Sequence, residues 1–263
     1  MKILTMILTV VLLAVSANAQ IVPILDLKLG GLIGGVQNGK FVDAKTTFKE
    51  LTANQNYGLY SFEIGAEEGE MKITISAPDV PCEDFYWISS EREEANSGIA
   101  VGAGATWNLV PRVAKKMSLT DKTYLNIVGS ILKAKGLPRA KPRIEQAVRI
   151  DLDGDGVEEV LISASSYADG IKPSAKAGDY SFVLLRKVVG GKVQNMMIAE
   201  EYIKKNIEFG APSKFEVSAV LDLNGDGKME IITYGNYYEG SWADIYEVKT
   251  NKPTKILGAG CGV

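Results

Sequence analysis

The sequence predicts a mainly β protein: antiparallel four-stranded, propeller-blade-like units in the C-terminal half, a β-rich N-terminal region and one connecting helix. Three observations carry this. The block Asp151-Leu-Asp-Gly-Asp-Gly-Val-Glu-Glu-Val160 returns 71 residues later as Asp222-Leu-Asn-Gly-Asp-Gly-Lys-Met-Glu-Ile231. Each copy stands among short apolar runs punctuated by Gly, Asn and Asp, the spacing of strands and turns. Only one stretch sustains a helical period.

Residues 1–19 read as a signal peptide outside the fold. Lys2 gives a positive start, Ile3 to Val15 is apolar except for Thr, and Ala17-Asn18-Ala19 fits the small-x-small cleavage pattern. Cleavage after Ala19 leaves a mature chain beginning at Gln20. The apolar run is shorter than the ~20 residues of a spanning helix, no Cys follows it, and no later stretch is apolar enough to span. The expectation is a secreted or periplasmic protein with no membrane span after cleavage.

Residues 20–117 form the β-rich N-terminal region. Gln37-Asn38-Gly39 between the runs 31–36 and 40–42 is a hairpin signal, because Asn and Gly both tolerate positive φ. Tyr57–Ile64 and Met71–Ser76 are further strand candidates, the second with clean alternation; Ala100–Ala105 is Gly/Ala-rich and gives no clear pattern. Residues 118–142 supply the helix and a linker. Ser118 is a candidate cap with Asp121 in capping-box spacing, and Tyr124, Ile127, Val128, Ile131 and Leu132 share one face. Gly136 and Pro138 stop the helix, and the basic run to Arg143 reads as a linker.

Residues 143–263 hold the repeat. Strands are expected near 144–151, 157–164, 180–187 and 192–199, and again near 215–222, 228–234, 242–248 and 254–258. Four short strands per unit is the make-up of a propeller blade.

Composition narrows the function. The hydrophobic fraction is 46%, enough for a proper core, and the net charge of −3 argues against nucleic acid as a partner. No histidine exists, which removes His-based triads and His-ligated zinc. No Gly-x-Ser-x-Gly elbow, phosphate loop or Cys-x-x-Cys is present. The two cysteines, Cys82 and Cys261, are expected to pair in an oxidising compartment.

The chemistry lies in the repeated loops. Calcium takes six to eight oxygens, largely carboxylate. In the first loop Asp151, Asp153 and Asp155 alternate along a tight curve, Glu159 follows, and the Val157 carbonyl is placed to join them. In the second the same roles fall to Asp222, Asn224, Asp226, Glu230 and the Lys228 carbonyl. Asn224 carries no charge, so the second site is expected to be the weaker. An EF-hand would need Glu at loop position twelve; Ile162 and Thr233 stand there.

The pattern Asp-x-Asp/Asn-Gly-Asp-Gly-x-x-Glu before an apolar strand resembles the FG-GAP/VCBS repeats, including the calcium loops of integrin α-chain propellers. The resemblance covers 143–263. It implies that loop positions one, three, five and nine, with the carbonyl of position seven, ligate calcium between the first two strands of a blade. Position nine is Glu here where the family usually has Asp, and a seven-bladed ring does not fit in this length.

These readings lead to an exported calcium-binding protein with a binding, adhesion or scaffold role toward a protein or glycan surface, calcium rigidifying two hairpin loops. Tyr237-Tyr-Glu-Gly-Ser-Trp242 is a candidate contact segment. The alternative is a secreted hydrolase of polysaccharide or another polymer with structural calcium, its carboxylates drawn from candidates such as Glu63, Glu93 or Glu239.

Overall fold

A computed structural model describes residues 20–51, 55–62, 67–90, 98–250 and 252–262. The expected signal peptide, Glu63 and Glu93 lie outside the described residues. The N-terminal region builds β1 (Val22–Asp26), β2 (Gly31–Gln37), β3 (Lys40–Asp43), α1 (Ala44–Glu50), β4 (Asn56–Tyr60), β5 (Glu67–Ile75), β6 (Ile88–Ser90) and β7 (Ile99–Gly102). Its strands form one antiparallel sheet in the order β3-β2-β1-β7-β4-β5-β6. The β2–β3 turn is the expected Asn-Gly hairpin, with φ of 53° at Asn38 and 71° at Gly39. The Gly/Ala-rich stretch that gave no pattern supplies β7, a central strand buried throughout. Burial on both faces removes the alternation that would have marked it.

After β8 (Lys115–Lys116) and α2 (Lys122–Ala134), the repeat builds two blade-like units. The first is β9 (Ile144–Ile150), β10 (Glu159–Ser165), β11 (Tyr180–Val189) and β12 (Lys192–Tyr202), with the short β8 added beside β9. The second is β13 (Lys214–Leu221), β14 (Glu230–Tyr237), β15 (Gly240–Thr250) and β16 (Lys252–Gly262), paired in order. The fold is therefore mainly β with four-stranded antiparallel C-terminal units, as expected, and neither sheet closes into a barrel.

Two details of the helices differ from expectation. Helix α2 starts at Lys122, capped by Asp121, whose carboxylate accepts from Thr123 N at 2.8 Å. A carboxylate suits a helix N-terminus better than a hydroxyl, and the Ser118 hydroxyl turns to Thr120 instead. The chain also has a second helix, α1, too short for a periodic signal; Asp43 caps it through Thr46 N at 2.7 Å.

The sheets meet at a bulge in β13. Ser218 is skipped in the β13–β14 register, and its freed groups turn elsewhere. Its carbonyl accepts from Phe62 N at 3.1 Å, and its hydroxyl donates to Asp26 Oδ2 at 3.2 Å. Beside it, the Gln146 amide imitates a strand: Nε2 donates to Val217 O at 3.0 Å and Oε1 accepts from Val217 N at 2.8 Å. Thus β13 is stitched to the N-terminal sheet at one residue and to the first unit at the next. Val22, Ile24, Ile33 and Val36 share a core with Leu221, Ile232 and Ile245. The Cys82–Cys261 disulfide closes the same junction, with Cα atoms 5.6 Å apart.

Asp26 is fully buried at this junction. Burial pushes its pKa up to about 6, against hydrogen bonds from Leu29 N and Ser218. An acid whose pKa is raised on folding keeps its proton longer in the native state, so stability falls as pH rises. The fall runs from the ordinary carboxylate range near 3.8 to about 6. Denaturant unfolding at pH 3.5 and pH 7 is expected to show the wild type losing roughly 3 kcal/mol more than Asp26→Asn across that window. For the disulfide, the Cys82→Ser/Cys261→Ser double variant is expected to lose up to about 5 kcal/mol by the loop-closure argument. The same unfolding assay reads it, and reductant should bring the wild type down to the variant.

Candidate metal centre

The two repeated loops fold alike, atom by atom. In each, the two glycines take positive φ: 76° and 84° at Gly154 and Gly156, 75° and 82° at Gly225 and Gly227. That left-handed backbone is open to Gly at little cost, and it turns successive amides inward. The position-one carboxylate collects them. Asp151 Oδ1 accepts from Gly154 N at 2.7 Å and Oδ2 from Gly156 N at 3.0 Å; Asp222 does the same with Gly225 N at 2.8 Å and Gly227 N at 2.9 Å. Position five caps position seven: Asp155 Oδ1 accepts from Val157 N at 2.8 Å, Asp226 Oδ1 from Lys228 N at 2.9 Å. The longer Glu at position nine reaches back to position two. Glu159 Oε2 accepts from Leu152 N at 2.9 Å and Glu230 Oε2 from Leu223 N at 2.8 Å. Leu152 and Leu223 are buried and anchor each loop.

The electrostatics of the two loops differ. Among the described residues only the first gathers three carboxylates, with ligand oxygens of Asp151, Asp153 and Glu159 all within 4.8 Å of one another. The reason is Lys187 of β11. Its ammonium lies 2.7 Å from Asp153 Oδ2 and 2.6 Å from Glu159 Oε1, and the residue is buried. Burial works against that charge, but the bonds to Asp153 and Glu159 outweigh it and hold the lysine above its ordinary pKa. Asp153 is held below its own by Lys187, which overcomes the cost of burial.

Among the described residues no lysine is ion-paired within the second loop as Lys187 is in the first. Val160 faces Arg186 across β10–β11, and its repeat equivalent Ile231 faces Tyr246 across β14–β15. One step on, Lys187 faces Glu159, whereas Glu247 faces Glu230. Asp222, Asn224 and Glu230 are buried. Burial, then the charges of Asp226, Asp222 and Glu247, push Glu230 up to about 8; burial also raises Asp222. Among the described residues no lysine or arginine forms an ion pair with Asp222, Asp226 or Glu230. Lys187 and Glu247 add cross-strand charges of opposite sign beside the two position-nine acids, which the comparison of Asn224 with Asp153 leaves out.

The segment before β8 joins the loops. Arg112 donates through Nε to Asp151 O and through Nη2 to Leu152 O at 3.1 Å and Gly227 O at 2.7 Å. Met229 N donates to Leu152 O at 2.8 Å. Trp107 donates to Asp222 O at 2.8 Å, and a Cβ on Gly225 would meet its ring at 2.9 Å. A small void between the loops, about 10 Å³, is lined by Asp153 and Lys187 on one side and by Asp226, Lys228, Glu230 and Glu247 on the other. Arg112, Trp107, Lys187 and Glu247 were not singled out from sequence. For Lys187 and Glu247 a signal existed, since extending the repeat through the strand register pairs them; the other two come from a separate segment.

Other candidates fall elsewhere. Trp242 lies over Gly235 and against Phe215, covering the second unit, and Tyr237 packs beside it. The cleft of about 590 Å³ beside α2 is lined by Arg139, Lys141, Arg143, Lys176 and Lys204, with Asp179 as its one acidic residue. That lining lacks the paired carboxylates of a glycosidase. Comparison with family models, curated proteins and solved structures finds no match to this chain.

Arg112→Ala removes three charge-assisted bonds to loop carbonyls at once. Such bonds contribute about 1.5–3 kcal/mol each when buried, with losses non-additive and smaller at partly exposed sites. Chemical denaturation is expected to give a loss of roughly 2–4 kcal/mol, with Arg112→Lys recovering less than half because one ammonium cannot reach both loops.

Proposed function

We propose that this is an exported, calcium-stabilised protein with a binding, adhesion or scaffold role, in which calcium rigidifies the second loop. The observation that carries the reading is the acidic set of that loop, buried Asp222 and Glu230 with the exposed Asp226, held by positive-φ glycines and free of an ion-paired lysine or arginine among the described residues. Asp222, Asn224, Asp226, Glu230 and the Lys228 carbonyl would hold the ion. These are hard oxygen donors of the kind calcium takes, with water or a second carboxylate oxygen completing the six to eight. Bound, the ion supplies the positive charge that lets Glu230 ionise in its buried position.

The export half of the reading is supported by the signal-peptide pattern and by the disulfide, which suits an oxidising compartment. Among the described residues no helix is long and apolar enough to cross a membrane. The partner is a protein or glycan surface. The basic lining of the cleft beside α2 gives the hydrolase alternative no support.

The test is thermal. At a hundredfold excess over Kd, calcium is expected to add about 2.7 kcal/mol, a rise in Tm of roughly 5–10 °C for a chain this size. Chelator should reverse the rise, and Asp222→Asn should abolish it. No shift in the wild type up to millimolar calcium would sink the reading. Terbium emission sensitised by Trp107, which lies against Gly225, assigns the ion to this loop; Trp107→Phe should remove the signal while leaving the calcium shift.

A further inference from the structure

We propose that Lys187 is the resident cation of the first loop, so that the chain takes one calcium ion and not the two that its repeated motif implies. The inference rests on the calcium reading of the second loop and deepens it.

The first loop does not suit a metal as it stands. Two of its three converging carboxylates already hold a charge. The Lys187 ammonium is within hydrogen-bond distance of Asp153 and Glu159, two of the four acidic ligands the motif provides. Those bonds use Asp153 Oδ2 and Glu159 Oε1, and Glu159 Oε2 is bound to Leu152 N. Both oxygens of Asp151 accept from the loop's glycine amides, as those of Asp222 do in the second loop, so it is the ammonium that sets the first loop apart. A divalent ion at this point would sit against a buried ammonium whose stem is rooted in a central strand: Lys187 belongs to β11, paired on both sides by β10 and β12. Like charges at such a separation repel strongly in a buried setting.

The contrast with the second loop makes the case one of substitution. Loop bonds, glycine conformations and leucine anchors are the same in both. What changes is the residue facing position nine: Lys187 before Glu159, Glu247 before Glu230. An ammonium is a single positive charge with three donors on a stem fixed to the strand. It can gather carboxylates as calcium does, without dependence on calcium concentration. One loop is thus permanently closed by a side chain and the other is left for an exchangeable ion.

Calcium titration of the mature chain by calorimetry tests this, with Lys187→Met, Lys187→Gln and Glu247→Lys alongside. The expected stoichiometry is one for the wild type, two for Lys187→Met and none for Glu247→Lys. Lys187→Gln keeps a polar group against Asp153 and serves if the Met variant does not fold; it too should bind two. The calcium-induced rise in Tm should be larger in Lys187→Met than in the wild type, because its first loop then needs the ion. A wild-type stoichiometry of two overturns the proposal and leaves the calcium reading standing. One in the wild type and one in both Lys187 variants also overturns it. None in the wild type with one in Lys187→Met sinks the calcium reading of the second loop while the role of Lys187 survives. None in any variant overturns both.

Discussion

Carboxylates gathered at a hairpin corner need a positive charge among them, and the C-terminal half is arranged around that constraint. Each loop places four acidic or amide side chains on a nine-residue curve. Local amides from the glycines and from the leucine at position two satisfy part of each carboxylate. They are neutral donors and leave the charge itself. The first loop answers with Lys187. In the second, burial and neighbouring charge press on Glu230, the condition under which a hard cation binds well.

The rest of the molecule holds these corners together. Arg112 spans both loops through backbone carbonyls, so its role does not depend on what side chains the loops carry. Below them, β13 is the shared wall. Its bulge at Ser218 turns a carbonyl and a hydroxyl toward the N-terminal sheet, while the Gln146 amide ties Val217 to the first unit. A strand in regular register would have spent those groups on β14. The local loss of pairing is the means by which three sheets share one core.

Most of the C-terminal architecture was legible in the sequence because turns and alternation are local signals. All eight expected strands of the repeat are present, with ends shifted by a few residues. The Asn38-Gly39 hairpin was legible for the same reason, and the Cys82–Cys261 bond followed from an even cysteine count read together with the expectation of export. Strand β7 escaped because Ile99 to Gly102 is buried on both faces and shows no period. At the site, the loop ligands could be read from spacing, but the balance of charge could not. Lys187 and Glu247 lie 28 and 17 residues beyond the position-nine acids they face, and only the strand register brings them there. Ranking the loops by Asn224 against Asp153 used the local half of the charge and missed the cross-strand half.

The disulfide has a consequence for how the chain reaches its final form. Cys261 sits on β16, two residues from the C-terminus, and its partner lies 179 residues earlier. Leu257 of the same strand packs against Gly34 in β2, where a Cβ would come within 2.8 Å. The earliest hairpin of the mature chain is therefore roofed by its latest strand. Until β16 is in place, β2 carries an open apolar face. Contacts this distant in sequence make assembly slow and leave partly made chains prone to stick. Docking of β16, rather than completion of any one sheet, is the event that closes the fold.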